Sequence, residues 1–190
     1  SLAAAGGNVA IANLTGGGDV IVDAAAGSLG FAAIDAGGVL TLTAGTTVTG
    51  GSAASGGSLV VEGESVDLDN ASAPGAMTIT ARTGDITGAG LFDGTAGSGA
   101  ITLDAAGAVA IGSILNNGTV DVFAGTDIGF AEVRSLDGTV TMEAGGDIVG
   151  SSVAASGTAD PAGDDSVFLT AGGDIVLDQA TSSLNQTSQA

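Results

Sequence analysis

A hydrophobic-x-hydrophobic triplet recurs eight times along this chain, and its spacing restricts the fold more than any other property of the sequence. The copies are Val20-Ile21-Val22, Leu40-Thr41-Leu42, Leu59-Val60-Val61, Met77-Thr78-Ile79, Ile101-Thr102-Leu103, Val120-Asp121-Val122, Val140-Thr141-Met142 and Val167-Phe168-Leu169. Their starts are separated by 20, 19, 18, 24, 19, 20 and 27 residues. Five of the seven gaps therefore lie between 18 and 20, and the two long ones read as insertions in a fixed period. Self-similarity at such a period is the signature of a stacked-repeat architecture.

Each triplet is followed by a Gly-bearing turn and a second apolar position. The clearest copies are Ala124-Gly125-Thr126-Asp127-Ile128, Ala144-Gly145-Gly146-Asp147-Ile148 and Ala171-Gly172-Gly173-Asp174-Ile175. Val9, Leu29, Val48, Val66, Ile86 and Val109 take the same role elsewhere, and a looser third apolar position holds Leu14, Ile34, Ile114 and Val133. Period-2 alternation inside the triplets is a strand signal. Three short strands per unit, joined by Gly-rich corners, predict an all-β parallel β-helix (β-solenoid) of about nine coils of roughly 19–20 residues. Successive coils would stack about 4.8 Å apart, giving a rod about 40–45 Å long. Residues 1–180 form the expected array, and 181–190 read as a polar tail or linker. A β-sandwich is the competing fold, but its turns would recur every 8–12 residues and favour Asn-Gly hairpins. The only Asn-Gly pair is Asn117-Gly118.

Composition agrees with a narrow solenoid. Glycine supplies 35 of 190 residues. Corners would use it for φ > 0 or for close backbone approach, and alanine would fill an interior too narrow for larger side chains. The chain holds 21 Asp+Glu against two cations, Arg82 and Arg134, for a formal net charge of −19. So acidic a chain is a poor partner for nucleic acid or anionic membrane surfaces. No run of about 20 apolar residues exists, so no helical membrane insertion is expected. His, Cys, Trp and Tyr are absent. This removes thiol nucleophiles, disulfides, imidazole bases and most zinc sites. The start, Ser1-Leu2-Ala3, lacks a basic region followed by an apolar core, so the chain reads as a processed product or an excerpt of a longer one.

The phrases Leu169 to Ile175 (LTAGGDI), Met142 to Ile148 (MEAGGDI) and Val122 to Ile128 (VFAGTDI) are similar to the repeats of filamentous-haemagglutinin-type exoproteins. The pattern extends from about Val9 to about Val176. These are large bacterial surface adhesins of the two-partner secretion type. The resemblance implies a right-handed parallel β-helix, export in an unfolded state, folding at the cell surface and an extracellular location. It carries no catalytic residues.

Several residue sets are candidate sites. Asp85, Asp127, Asp147 and Asp174 all precede the second strand, and stacking would bring them into line. One reading is a Ca²⁺ ladder, since carboxylates are hard oxygen ligands. The other is turn chemistry, in which Asp after Gly hydrogen-bonds local backbone. Thr47, Ser65 and Ala108 interrupt the row, which weighs towards the turn. No cofactor other than Ca²⁺ is suggested. A second set, Asp23, Glu62, Asp104 and Glu143, follows the triplet and faces outward with Thr43, Thr80 and Thr170 between. It reads as a solvated face that blunts lateral strand pairing. Thr41, Thr78, Thr102 and Thr141 form an outward array that Ile21, Val60, Asp121 and Phe168 break, which speaks against ice binding. The insertions, one between Ile79 and Ile101 and one from Ser151 to Asp165 with Asp160-Pro161 and Asp164-Asp165, are places where loops can carry recognition.

Enzyme readings fare poorly. β-Helical lyases and hydrolases need a basic residue or a carboxylate pair in a cleft with aromatic sugar platforms. Here two arginines and five Phe are available, and Asp67 with Asp69 is an ordinary i, i+2 pair on an exposed strand face. The expectation is a non-enzymatic structural or adhesive module of an exported surface protein. Its partners would be neighbouring coils or further copies, with a host receptor or glycan beyond them. The alternative is a self-assembling extracellular filament or surface-layer subunit stacking through open solenoid ends.

Overall fold

The computed structural model describes residues 1–156, 165–182 and 185–189. In chain order the strands are β1 (Leu2–Ala4), β2 (Val9–Gly16), β3 (Val20–Ala24), β4 (Leu29–Ala36), β5 (Leu40–Ala44), β6 (Thr47–Ser55), β7 (Leu59–Gly63), β8 (Ser65–Ser72), β9 (Met77–Ala81) and β10 (Ile86–Gly94). They continue as β11 (Ile101–Ala105), β12 (Val109–Asn116), β13 (Val120–Ala124), β14 (Ile128–Ser135), β15 (Val140–Ala144), β16 (Ile148–Ala155), β17 (Ser166–Ala171), β18 (Ile175–Ser182) and β19 (Asn185–Gln189). Odd-numbered strands build a 10-stranded sheet and even-numbered strands a 9-stranded one, each in strict sequence order. Every pairing is parallel, from β1 on β3 to β17 on β19. A chain that alternates between two such sheets and climbs one strand at each return is a β-solenoid, here of about eight turns. Nine rungs' rise at about 4.8 Å makes the longer sheet about 43 Å tall.

Register places the triplets in vertical columns. Val20, Leu40, Leu59 and Met77 pair in succession, followed by Ile101, Val120, Val140 and Val167. From Leu40 to Val140 this column is fully buried. The column Leu29, Val48, Val66, Ile86, Val109, Ile128 and Ile148 is buried opposite it. Each apolar residue thus loses its solvent-facing edges to its counterparts one coil above and below, so burial depends on stacking.

Sequence periodicity predicts three short strands per coil, whereas two form. The second and third apolar positions share one long strand that bends. In β4, Leu29, Phe31, Ile34 and Ala36 point inward while Ala32 and Ala33 both lie outward of the core. Two consecutive outward residues turn the strand, and the ladder resumes in the same register (Phe31 with Gly50, Ala33 with Ser52). The corner is a bend inside a hydrogen-bonded strand.

Glycine at the interior corners, such as Gly37 and Gly45, serves close approach. No described residue has a positive φ, so the left-handed conformation is not used. A Cβ on Gly37 would lie 2.6 Å from the Gly17 carbonyl oxygen below, and one on Gly45 would lie 2.6 Å from that of Ala25. Glycine also makes room for aromatics. The Phe31 ring occupies the space a Cβ on Gly50 would need, and Phe130 does the same beneath Gly150. A ring too thick for one rung is thus balanced by an absent side chain in the next.

The insertions are smaller than the spacing suggests. β10 is 9 residues long and absorbs one extra residue as a register shift between Gly88 and Leu91. The remaining extra length lies in the corner 95–100. Ser151 to Ala155 belong to β16, in register with β14 and β18, so the second insertion begins only after Ala155. Asp160, Pro161 and Asp164 lie outside the described residues. Within the segment read as a tail, Thr181 and Ser182 end β18, and Asn185–Gln189 adds β19 to β17.

These corners predict an inverted glycine effect. Gly→Ala at an ordinary φ normally stabilises by about 0.4–1 kcal/mol. Gly37→Ala should instead destabilise by about 1–3 kcal/mol, because the added carbon meets backbone that cannot rotate away. Gly17, with nothing within 4 Å of the same position, should tolerate alanine. Thermal unfolding of both variants checks the contrast.

Candidate functional site

The acidic corner residues form a hydrogen-bonded seam between coils. Asp127 Oδ1 accepts from the Asp147 backbone N–H at 2.8 Å, and Asp147 Oδ1 from that of Asp174 at 2.8 Å. Asp85 Oδ1 accepts from the Ala108 N–H at 2.8 Å, and Asn8 Oδ1 from the Ser28 N–H at 3.0 Å. Asp19 repeats the arrangement at the opposite corner, accepting from the Val39 N–H at 2.9 Å. The backbone completes the clasp: Ile128 N–H donates to the Asp147 carbonyl at 2.8 Å, and Ile148 N–H to that of Asp174 at 2.9 Å. The lower coil thus grips both sides of the upper corner residue, with a carboxylate serving where its turning backbone offers no acceptor. The turn reading had these bonds as local; they run from one coil to the next, 20 to 27 residues apart.

Asp127, Asp147 and Asp174 stand on three successive coils. Asp85 is separated from Asp127 by Ala108 and does not join them. Among the described residues, no group of three or more His, Cys, Asp or Glu side chains is placed to hold one metal ion.

Asp23, Thr43, Glu62, Thr80, Asp104, Phe123, Glu143 and Thr170 stack in one outward column of the odd-numbered sheet. Thr43 donates its hydroxyl to Asp23 Oδ1 at 2.8 Å, and Thr87 does so to Asp67 Oδ1 at 2.8 Å on the other sheet. Arg82 reaches down two coils. Its Nη1 donates to Glu62 Oε1 at 2.7 Å, and its Nη2 to the carbonyls of Ala44 at 2.8 Å and Gly45 at 3.2 Å. Thr41, Thr78, Thr102 and Thr141 occupy a neighbouring column, with Val60 and Asp121 among them and Phe168 above.

Ser55, Asn116 and Ser135 are buried polar residues with no counterpart among the candidates read from sequence. Ser55 Oγ lies 2.8 Å from the Gly38 carbonyl and 2.9 Å from that of Ser58, and its one proton is shared between them. Asn116 Nδ2 donates to Gly99 and Thr119 carbonyls, at 2.9 and 2.7 Å, and Ser135 Oγ to the Gly118 carbonyl at 2.8 Å. They stand where Ala36 and Ala155 stand in other coils and tie each corner to the one below. Their signal is a polar residue at the alanine position before a glycine-bearing turn. Asn116 Oδ1 is buried without a hydrogen-bond partner.

Among the open grooves of the described surface, two adjoin the Phe123 column and the β10 register shift. One, about 430 Å³, runs over Asp104, Phe123, Glu143 and Thr170 along the corner Ala124-Gly125. The other, about 600 Å³, lies beside the β10 register shift and is bordered by Asn70, Gly90, Glu132 and Arg134.

The seam has a direct test. Asp147→Asn keeps an acceptor oxygen, as Asn8 shows, and removes one of three stacked like charges. It should leave the melting temperature unchanged or raise it. Asp147→Ala strands the Asp174 N–H and should cost about 1 kcal/mol, as loss of a capping acceptor does. Both melts should be indifferent to Ca²⁺ and chelator; a Ca²⁺-dependent rise that Asp147→Asn removes would instead assign the row to the cation.

Comparison with known proteins finds no family model, no curated protein and no solved structure that matches this chain.

Proposed function

We propose that this chain is a non-enzymatic structural and adhesive module, a length of rigid β-helical shaft in an exported bacterial surface protein. One observation carries the reading: the outermost rungs keep the design of the interior ones. Ile11 and Leu14 in β2, and Ile175 and Leu177 in β18, are only partly covered. Phe31 and Ile34, which pair with Ile11 and Leu14, and Ile148, which pairs with Ile175, are buried. Gly6, Gly7, Gly17 and Gly18 sit at the lowest corners, where a Cβ would meet nothing within 4 Å. Glycine there is redundant unless a further coil packs beneath, as coils do beneath Gly37 and Gly45. A rod made to be extended by more of itself suits a shaft, and its −19 charge keeps neighbouring rods apart. The tip of such a shaft presents a receptor- or glycan-binding surface at a distance from the cell.

The same open rungs favour a second reading, an extracellular filament or surface-layer subunit stacked end to end. Its joint would pair the edge strands the two sheets leave open, β1 or β2 of one copy on β19 or β18 of the next. Sedimentation and negative-stain electron microscopy of the purified chain separate the two. The shaft reading predicts single 17.6 kDa particles about 43 Å long. Fibres with that axial repeat would establish the filament, and a helix-dominated circular dichroism spectrum would overturn both.

A further inference from the structure

We infer that the groove over Phe123 is a receptor for the guanidinium group of an arginine side chain on a basic partner polypeptide. The chain carries its own example of this recognition. Arg82 lays its guanidinium across a carboxylate, Glu62, and two corner carbonyls of the rung below, Ala44 and Gly45. Glu143 occupies the same column as Glu62, four rungs higher. The rung beneath Glu143 ends in Ala124-Gly125, as the rung beneath Glu62 ends in Ala44-Gly45. The upper set repeats the carboxylate and the Ala-Gly corner of the lower one, with the difference that the Ala124 carbonyl already accepts the Gly145 N–H, so the Gly125 carbonyl is the corner acceptor.

What differs is the occupant. Arg82 follows the last residue of β9, one rung above Glu62. The corresponding residue one rung above Glu143 is Gly172, which follows β17. Ala106, Gly125 and Gly145 hold the same position on the rungs between, so no side chain longer than a methyl lies along the corner. The Gly145 and Gly146 N–H groups go to Ala124 O and Thr126 O, which leaves the Gly125 carbonyl to an outside donor. Two further features strengthen the site relative to the Arg82 example. Asp104 adds a second carboxylate below Phe123, opposite Glu143 above it. Phe123 itself, half-buried between them, offers a ring against which a guanidinium plane can stack.

Charge selects the source. A second copy also carries −19, so approach of two copies is repulsive, whereas a basic segment is attracted along the whole rod. A planar fork of donors suits a carboxylate flanked by carbonyls better than a point-charge ammonium does.

The test uses the 190-residue chain and a capped Gly-Gly-Arg-Gly-Gly peptide, read by backbone amide chemical shifts at low salt. Shifts should concentrate at Gly125, Glu143 and Gly145 and weaken as salt rises. The citrulline peptide, which keeps the shape without the charge, should produce none. Glu143→Gln, an exposed substitution, should weaken the arginine peptide about tenfold, the loss expected of one charge-assisted hydrogen bond. Glu62→Gln, whose carboxylate already holds Arg82, should leave peptide binding unchanged. Equal response to citrulline, shifts spread over all acidic residues, or Glu143→Gln binding as tightly as the parent would each overturn the proposal. So would self-association of the free chain that Arg134→Gln abolishes, because the groove would then belong to a second copy.

Discussion

Everything in this molecule answers to the spacing between coils. Parallel strands hydrogen-bonded into a ladder lie about 4.8 Å apart, and that distance holds at the corners as well as along the strands. A corner residue must therefore fit beneath its counterpart with no more clearance than a backbone requires. Glycine at 37 and 45 meets this demand in an ordinary conformation. Alanine closes the ends of the short strands, as at Ala24, Ala44 and Ala144. The paired Phe31–Gly50 and Phe130–Gly150 contacts show the same rule applied to volume.

Polar chemistry is organised along the same axis. Side chains bond mainly to the coil above or below. Asp127, Asp147 and Asn8 accept corner N–H groups from above, while Ser55, Asn116 and Ser135 donate to corner carbonyls below. A strand turning sharply between sheets leaves donors and acceptors that neither ladder reaches, and short polar side chains meet them. Acidic residues serve this need and also coat the rod. The many carboxylates are thus partly structural and partly a solvated face. The groove at Phe123 stands apart because it shares the carboxylate and the Ala-Gly corner of the Arg82 seat without an internal cation beside them.

The sequence disclosed the columns well, for a physical reason. Val20, Leu40, Leu59 and their successors recur at the length of one coil, so period and register are the same quantity. It disclosed the bend less well. Leu29 and Ile34 look like separate strands, because nothing in Phe31-Ala32-Ala33 announces that hydrogen bonding continues through a change of face. Glycine was legible as a corner residue, but composition does not distinguish a need for φ > 0 from a need for clearance. Ser151 to Ala155 read as an insertion because their small side chains carry little periodic signal, although the ladder pairs them fully. The seam was half visible: Asp recurs before Ile, but only stacking shows that its acceptor serves the next coil. Phe123 gave no signal, since its importance lies in what flanks it one rung away.

The central claim is that positions one coil apart in sequence are one rung apart in space. A chain without cysteine allows this to be measured cleanly by spin labels on two introduced cysteines. Thr41 and Thr141 lie in one outward column, five rungs apart through Val60, Thr78, Thr102 and Asp121. Pulsed electron–electron resonance on the Thr41→Cys, Thr141→Cys chain should give a single distance distribution centred at about 24 Å. A centre displaced by two rungs or more, or a distribution spanning tens of ångströms, would contradict the stacked-coil account.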